Sequence, residues 1–597
     1  MALRIEDYGL IGDCHSAALV GRDGSIDWLC LPQFDSRACF SALLGTPENG
    51  RWIICPKDEP LRITRRYLGD TLVLETEFQT QTGTVALIDF MPIRQSVPDV
   101  VRIIEGRSGT VEMHLELAIR FDYGSIVPWV QRIANGITAI GGPDELRLTT
   151  PVELRGENMK TVAEFTVSAG QRIPFTLTYH RSHEPPPRSL DPEQALVETK
   201  SWWENWTKKC TYKGDYRDLV LRSLITLKAM TYAPSGGIIA ATTTSLPERL
   251  SGVRNWDYRY CWLRDATLTL LSLLNAGYVD EARAWREWLL RAVAGSPATL
   301  QIMYGIAGER RLNEFELSAL GGYENSLPVR VGNSASTQFQ LDVYGEVSDA
   351  LYHARLSGLN SAPAGWALER TLVEFVEQAW QDPDEGLWEV RGPRQHFTHS
   401  KVMAWVALDR AIRSAQTFGL EGPIDRWVGV RDAIHKRVCE EGFSTRLNSF
   451  VQSLGSDLLD ASLLMIPMVG FLSPDDPRVA GTVAAIEHHL CLNGFVLRYD
   501  TSKTRDGLPP GEGAFLPCTF WLADNYALLG QMEKAKALFS RLTSLGNDLG
   551  LFSEEYDPMA KRLLGNFPQA FTHLSLVNTA LNLYHPERSS VSQRRQS

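Results

Sequence analysis

The chain has 597 residues, too many for one ordinary hydrophobic core, so two domains or one very large barrel is expected. It is 44% hydrophobic and 22% charged, the balance of a soluble globular protein, and its nine cysteines show no CxxC spacing that would suggest a zinc site or a disulfide framework. A net charge of −11 offers no basic stripe to phosphates and argues against a nucleic-acid partner, while a neutral ligand such as a sugar is compatible.

The N-terminus, MALRIEDYGLIGDCHSAALV, lacks the basic-then-apolar pattern of a secretory leader. No run reaches the ~18 apolar residues of a membrane helix. A cytoplasmic protein with no membrane partner is therefore expected, its cysteines free thiols. The aromatic residues can stack on sugar rings, although most should be core.

The first third reads as β-structure. In Val111 to Ile119 apolar and polar residues alternate strictly, the pattern of a half-buried strand. Leu72 to Phe78 and Thr84 to Phe90 flank Gly83 and read as a hairpin. Ile173 to His180 is a further strand, and Pro185 to Pro187 end the region. Several short strands with turn signals predict a sandwich over residues 1–205.

After Trp206 the pattern turns helical. Twelve segments are expected, at 216–231, 264–277, 280–292, 337–358, 363–380, 399–419, 423–442, 458–472, 476–490, 515–530, 531–546 and 568–584. Segments 280–292 and 531–546 are amphipathic, while 458–472 is apolar almost all round. Alternation of amphipathic and buried helices implies two concentric rings, an all-α (α/α)6 barrel over 236–585, with 206–235 as linker and first barrel helix and 586–597 as a disordered polar tail. Loops entering the even-numbered, inner helices are long: 232–263, 293–336, 381–398, 443–457, 491–514 and 547–567. In such a barrel they share one end and would build one pocket.

Three of these loops hold distinctive groups. In DYRYCWLRDATL, Arg264 and Asp265 open a helix. Asp265 could serve as its N-cap, or the pair could bind sugar hydroxyls, the carboxylate accepting and the guanidinium donating in a fixed fork. Tyr258, Tyr260 and Trp262 add aromatic surface. DPDEGLWEVRG could be a solvated turn, but beside Trp388 the carboxyl of Glu389 would be partly desolvated and suited to give a proton near neutral pH. In LFSEEYDP, Glu554 and Glu555 are neighbours whose side chains should diverge, and repulsion disfavours burying both. Two carboxylates across one pocket meet the requirement for cleaving a glycosidic bond.

At these residues the chain resembles glycoside hydrolase family 15, the glucoamylases and bacterial trehalases. The resemblance runs from IEDYGLIGDCHSAALVGRDGSIDWLCLPQFDS through GVRNWDYRYCWLRD, GLWEVRG, GFVLRYD and GEGAFLPCTFWL to SEEYDP and GNFPQAFTHL. It implies an N-terminal super-β-sandwich, an (α/α)6 barrel and an inverting mechanism without metal or organic cofactor. It implies Glu389 as general acid and Glu554, chosen over Glu555, as general base. Arg264, Asp265 and Arg498 would hold the terminal glucose, with Tyr258, Trp262 and Trp388 lining the pocket. Starch-acting fungal members carry a second acid after the catalytic one, where this chain has Val390 and then Arg391. That departure favours trehalose or another short α-glucoside, with a glucoamylase acting on α-1,4/α-1,6 glucan ends as the alternative. A glycoside phosphorylase and a non-catalytic sugar-binding protein are further alternatives. A homo-oligomer is compatible with the sequence.

Overall fold

The computed structural model describes residues 2–359 and 363–584. The tail expected at 586–597 lies outside the described residues. Strands fill the chain from Tyr8 to Arg181, and fifteen of them join into one hydrogen-bonded network. Its spine is the strand Asp99–Ala118. The first half of this strand pairs antiparallel with Gly83–Phe90 and Arg172–Arg181, and the second half with Arg51–Pro56 and Lys160–Ser168. The expected alternation is present: Val111, Met113, Leu115 and Leu117 are buried and Glu112 is exposed. The expected hairpin is also present, as Leu74–Gln79 against Gly83–Phe90. Glycine is required at its corner, because a Cβ on Gly83 would stand 2.2 Å from the Ser108 carbonyl oxygen.

Helix begins earlier than the change of pattern at Trp206 suggests. Helix α1 (Pro192–Thr207) starts where the Asp191 carboxylate accepts hydrogen bonds from the amides of Glu193 and Gln194 at 3.0 and 3.2 Å, with proline at the first helical position. The prolines at 185–187 just before it hide that signal. Ala195 and Leu196 pack on Val73, Ile88, Phe90, Val101 and Ile103, a small core separate from the main one. Burying a side chain such as Leu196 contributes about 2 kcal/mol.

The helices that follow are α2 (Arg217–Ala229), α3 (Ala266–Asn275), α4 (Val279–Ala292), α5 (Asp342–Leu356), α6 (Pro363–Ala379), α7 (Thr398–Phe418), α8 (Ile424–Glu441), α9 (Met465–Met468), α10 (Pro477–His489), α11 (Leu516–Leu528), α12 (Met532–Thr543) and α13 (Ala570–Tyr584). Burial alternates as expected. Helices α5, α7, α11 and α13 are buried along nearly their whole length, whereas α8 and α12 bury one face, Trp427, Ile434 and Val438 in the first and Ala535, Phe539 and Leu542 in the second. The buried helices touch in the order α3, α5, α7, α9, α11, α13, and α13 touches α3.

Segment 458–472 is buried as expected but is no full helix. It is a 3-10 turn, Ala461–Leu464, followed by the single turn of α9. Pro467 has no amide hydrogen to extend the ladder, and Gly470 leaves helical space at φ +81.

The sheet and the helices share one continuous hydrophobic core. Polar groups also cross between them. The Trp28 indole N–H donates to the Thr242 carbonyl at 2.8 Å. Arg259, fully buried, pairs with Asp257 at 2.7 Å and also donates to the Ser36 carbonyl and the Tyr123 hydroxyl, each at 2.9 Å. All nine cysteines are free thiols. No helix among the described residues is long and apolar enough to cross a membrane.

Candidate active site

The buried Arg259–Asp257 pair fixes the segment that carries the first group. Asp257 also accepts from the Gly332 amide at 3.0 Å, which ties the segment to the loop 293–336. Tyr258 then packs edge-on against Trp262 with ring centres 5.1 Å apart. Arg264 follows, its guanidinium 4.8 Å from the Phe571 ring centre. Asp265 occupies the N-cap position of α3 but makes no capping hydrogen bond. It accepts instead from Nε of Arg264 at 2.9 Å, so the capping alternative is set aside.

Glu389 sits on a tight turn. Its amide donates to the Gly386 carbonyl at 3.1 Å, and Gly386 packs so closely on Phe397 that a Cβ there would lie 2.5 Å from the ring. Glu389 has φ +58, a left-handed conformation that costs a non-glycine residue ~1 kcal/mol or more. The Gln338 amide holds the strained backbone by donating to the carbonyls of Glu389 and Val390 at 3.2 and 3.1 Å. The Glu389 carboxylate accepts from the Trp262 indole at 2.7 Å and lies 3.6 Å from Arg264. Trp262, rather than the adjacent Trp388, is thus the indole that bonds this carboxylate. Desolvation raises the pKa of Glu389, against the opposing pull of Arg264 and of the Trp262 hydrogen bond. Trp388 turns elsewhere, donating to Asp460 at 2.9 Å.

Glu554 and Glu555 are both fully buried, contrary to the expectation that only one would be. They diverge as expected, and each finds its own partner. Oε2 of Glu554 accepts from the Asn566 amide at 3.1 Å, and Oε2 of Glu555 accepts from the Gly513 amide at 2.8 Å. Arg498 supplies the compensating charge. It bonds Glu248 at 2.6 Å and Glu512 at 2.7 Å, and lies 3.4 Å from Glu555. Burial, then the charge of Glu248, push Glu554 up to about 8, with Arg498 and Tyr258 pulling the other way. Burial likewise raises Asp265 and Tyr258.

Tyr258, Arg264, Trp388, Glu389 and Arg498 line one cleft. Trp262, Asp265 and Glu554 stand behind its wall. Tyr258 links the two acids, since the charges of both Glu554 and Glu389 act on its hydroxyl. Four of the long loops supply wall residues, 232–263, 293–336, 381–398 and 491–514. The loop 547–567 brings Glu554. The remaining one contributes indirectly, through Gln452, which donates to Asp460 at 2.9 Å.

The sequence reading did not single out Glu248, Arg254, Trp256, Asn333, Glu512 or Phe515. Arg254 and Trp256 lie in the stretch GVRNWDY and Glu512 and Phe515 in GEGAF, both already notable as motifs. Glu248 carries no such mark, because its partner Arg498 is 250 residues away.

The model of glycosyl hydrolases family 15 matches residues 214–581, and that of the trehalase-like N-terminal domain matches residues 1–194. A trehalase of Mycolicibacterium smegmatis is 36% identical, covering 98% of this chain and 92% of its own length. A trehalase of Thermoplasma volcanium is 34% identical, covering 97% of this chain and 93% of its own length. A bacterial glucoamylase solved in complex with acarbose shares the fold, with a TM-score of 0.74 at 14% identity over 99% of this chain and 95% of its own.

Proposed function

We propose that this chain, which belongs to family 15 of the glycosyl hydrolases and is a glycoside hydrolase, cleaves the α-glucosidic bond of trehalose with inversion. The observation that carries the reading is similarity to trehalases over both domains, together with two acids of contrasting environment beside one cleft. The run of contacts among α3, α5, α7, α9, α11 and α13 supports an (α/α)6 barrel, and the two-sided pairing of Asp99–Ala118 supports a super-β-sandwich.

Glu389 gives its proton to the glycosidic oxygen as the bond to the anomeric carbon breaks. Its raised pKa keeps that proton available, and the Trp262 and Arg264 contacts stabilise the carboxylate that remains. Glu554 takes a proton from the water whose oxygen bonds to the opposite face of the anomeric carbon. Arg264 and Arg498 meet the terminal glucose at the cleft wall, and Asp265 behind it fixes the Arg264 guanidinium. Tyr258 and Trp388 shape the enclosure, with Trp262 behind Glu389. The products are one β-glucose and the second glucose unit. A glucose-release screen over trehalose, maltose, isomaltose, kojibiose and soluble starch tests the substrate, with turnover of trehalose expected to exceed the rest. Preference for maltose or starch would replace it with a glucoamylase. Proton NMR of the freshly released sugars tests the stereochemistry: inversion gives β- and α-glucose in equal amounts, because the leaving unit keeps its α configuration, and initial release of α-glucose alone would rule out inversion.

A further inference from the structure

We propose that Arg391 is the specificity-determining residue for the sugar that leaves, and that Glu314 and Trp256 hold its guanidinium for that task. The inference rests on the reading of Glu389 as the acid. Arg391 follows Glu389 by two residues and lines the same cleft, while Val390 between them is buried and offers no polar group.

The guanidinium is fixed by two neighbours. Its two terminal nitrogens donate to the two carboxylate oxygens of Glu314 at 3.3 and 2.9 Å, and its central carbon lies 4.1 Å from the Trp256 ring centre. Both supports are anchored. Glu314 accepts from the amide and the hydroxyl of Ser334, each at 3.2 Å. The Trp256 indole donates to Glu248 at 3.2 Å, and a second guanidinium, that of Arg330, lies 4.6 Å from its ring. A guanidinium carries five N–H donors, and Glu314 engages two of its nitrogens, so donors are left for a ligand.

Depth decides which sugar those donors meet. The side chains of Arg264, Glu389 and Arg391 are 11%, 17% and 28% exposed, so exposure rises from Arg264 through the acid to Arg391. The acid must reach the oxygen that joins two sugars. The terminal glucose therefore lies on the deeper side, with Arg264, and the leaving sugar on the solvent side, with Arg391. A planar fork fits vicinal hydroxyls, so the ligand class is a second pyranose with free neighbouring hydroxyls.

The experiment compares trehalose with α-glucosyl fluoride, whose leaving group is a fluoride ion and needs no sugar site. For Arg391→Ala, the ratio of kcat/KM on trehalose to kcat/KM on the fluoride should fall about 100-fold, the worth of a charge-assisted pair of hydrogen bonds. Glu314→Gln should lower the same ratio about tenfold, and Arg391→Lys should recover part of the loss because it keeps charge without the fork. Melting temperatures should stay within about 2 °C of the parent. A wild-type ratio in Arg391→Ala overturns the assignment, as does an equal loss on both substrates. If the parent cleaves another α-glucoside in place of trehalose, the trehalose reading fails, and the same ratio taken with that glucoside still judges Arg391. If it cleaves the fluoride and no disaccharide, there is no leaving-sugar site and the assignment falls.

Discussion

Glu389 stands on a strained turn at the cleft wall, 17% exposed, with one indole and one guanidinium for company. Glu554 is fully buried and feels the charge of Glu248, which with Glu512 and Glu555 gathers around Arg498, while Arg254 lies 3.6 Å from Glu512. The same side chain thus has two characters. At Glu389 the nearby groups favour loss of the proton while burial keeps it available, which suits a donor. At Glu554 burial, and then the like charge of Glu248, oppose ionisation, so the carboxylate, once formed, is a strong proton acceptor. On the proposed reading the donor lines the cleft and the acceptor is buried behind its wall.

The largest expected effect breaks the comparison at both ends. Glu389→Gln and Glu554→Gln should each lower kcat by about 10³- to 10⁴-fold on trehalose. Near-normal turnover by either would strip that residue of its role. Next in size is Arg498→Met, which removes the cation bonded to Glu248 and Glu512 and facing Glu555. It should lower the unfolding free energy by about 3–5 kcal/mol, read by urea denaturation, and an unchanged midpoint would mean the acids are held by something other than charge.

The productive form holds a proton on Glu389 and none on Glu554. Because Glu554 is raised more strongly than Glu389, that form is the less populated singly protonated one, and the acid limb of kcat/KM should follow Glu389 and the alkaline limb Glu554. Glu248→Gln removes a charge that raises Glu554, so the alkaline limb should move to lower pH. A limb that stays in place would show that Glu554 does not set it. The smallest effect sharpens the other end. Trp262→Phe removes a hydrogen bond that favours the charged form of Glu389, so the acid limb should move up, and a downward shift would contradict the assignment.

Much of this was legible in the chain. The alternation at Val111 to Leu117 and the burial contrast between α11 and α12 follow directly from residue pattern. Departures arose where a local rule was masked. The prolines at 185–187 obscured the cap at Asp191, and Pro467 interrupted an otherwise apolar helical run. In the site, residues that sit in dense motifs were readable. What was not readable was pairing across hundreds of residues, as between Glu248 and Arg498, because a charge in a sequence does not say which charge will meet it. For the same reason two adjacent glutamates looked too repulsive to bury together, until Gly513, Asn566 and Arg498 supplied their partners.

The buried Arg259, bonded at once to Asp257 and to Ser36 and Tyr123 of the sheet, has a consequence for how the molecule is made. The sheet precedes the helices in the chain, so it leaves the ribosome first, ahead of residue 259. Until that residue follows, the Ser36 carbonyl and the Tyr123 hydroxyl bond water, and the Trp28 indole has no Thr242 carbonyl to meet. Each newborn chain passes through a stage in which the sheet displays the imprint of a partner not yet made. The cleft is completed last, when the segments bearing Arg498 and Glu554 emerge and close around it.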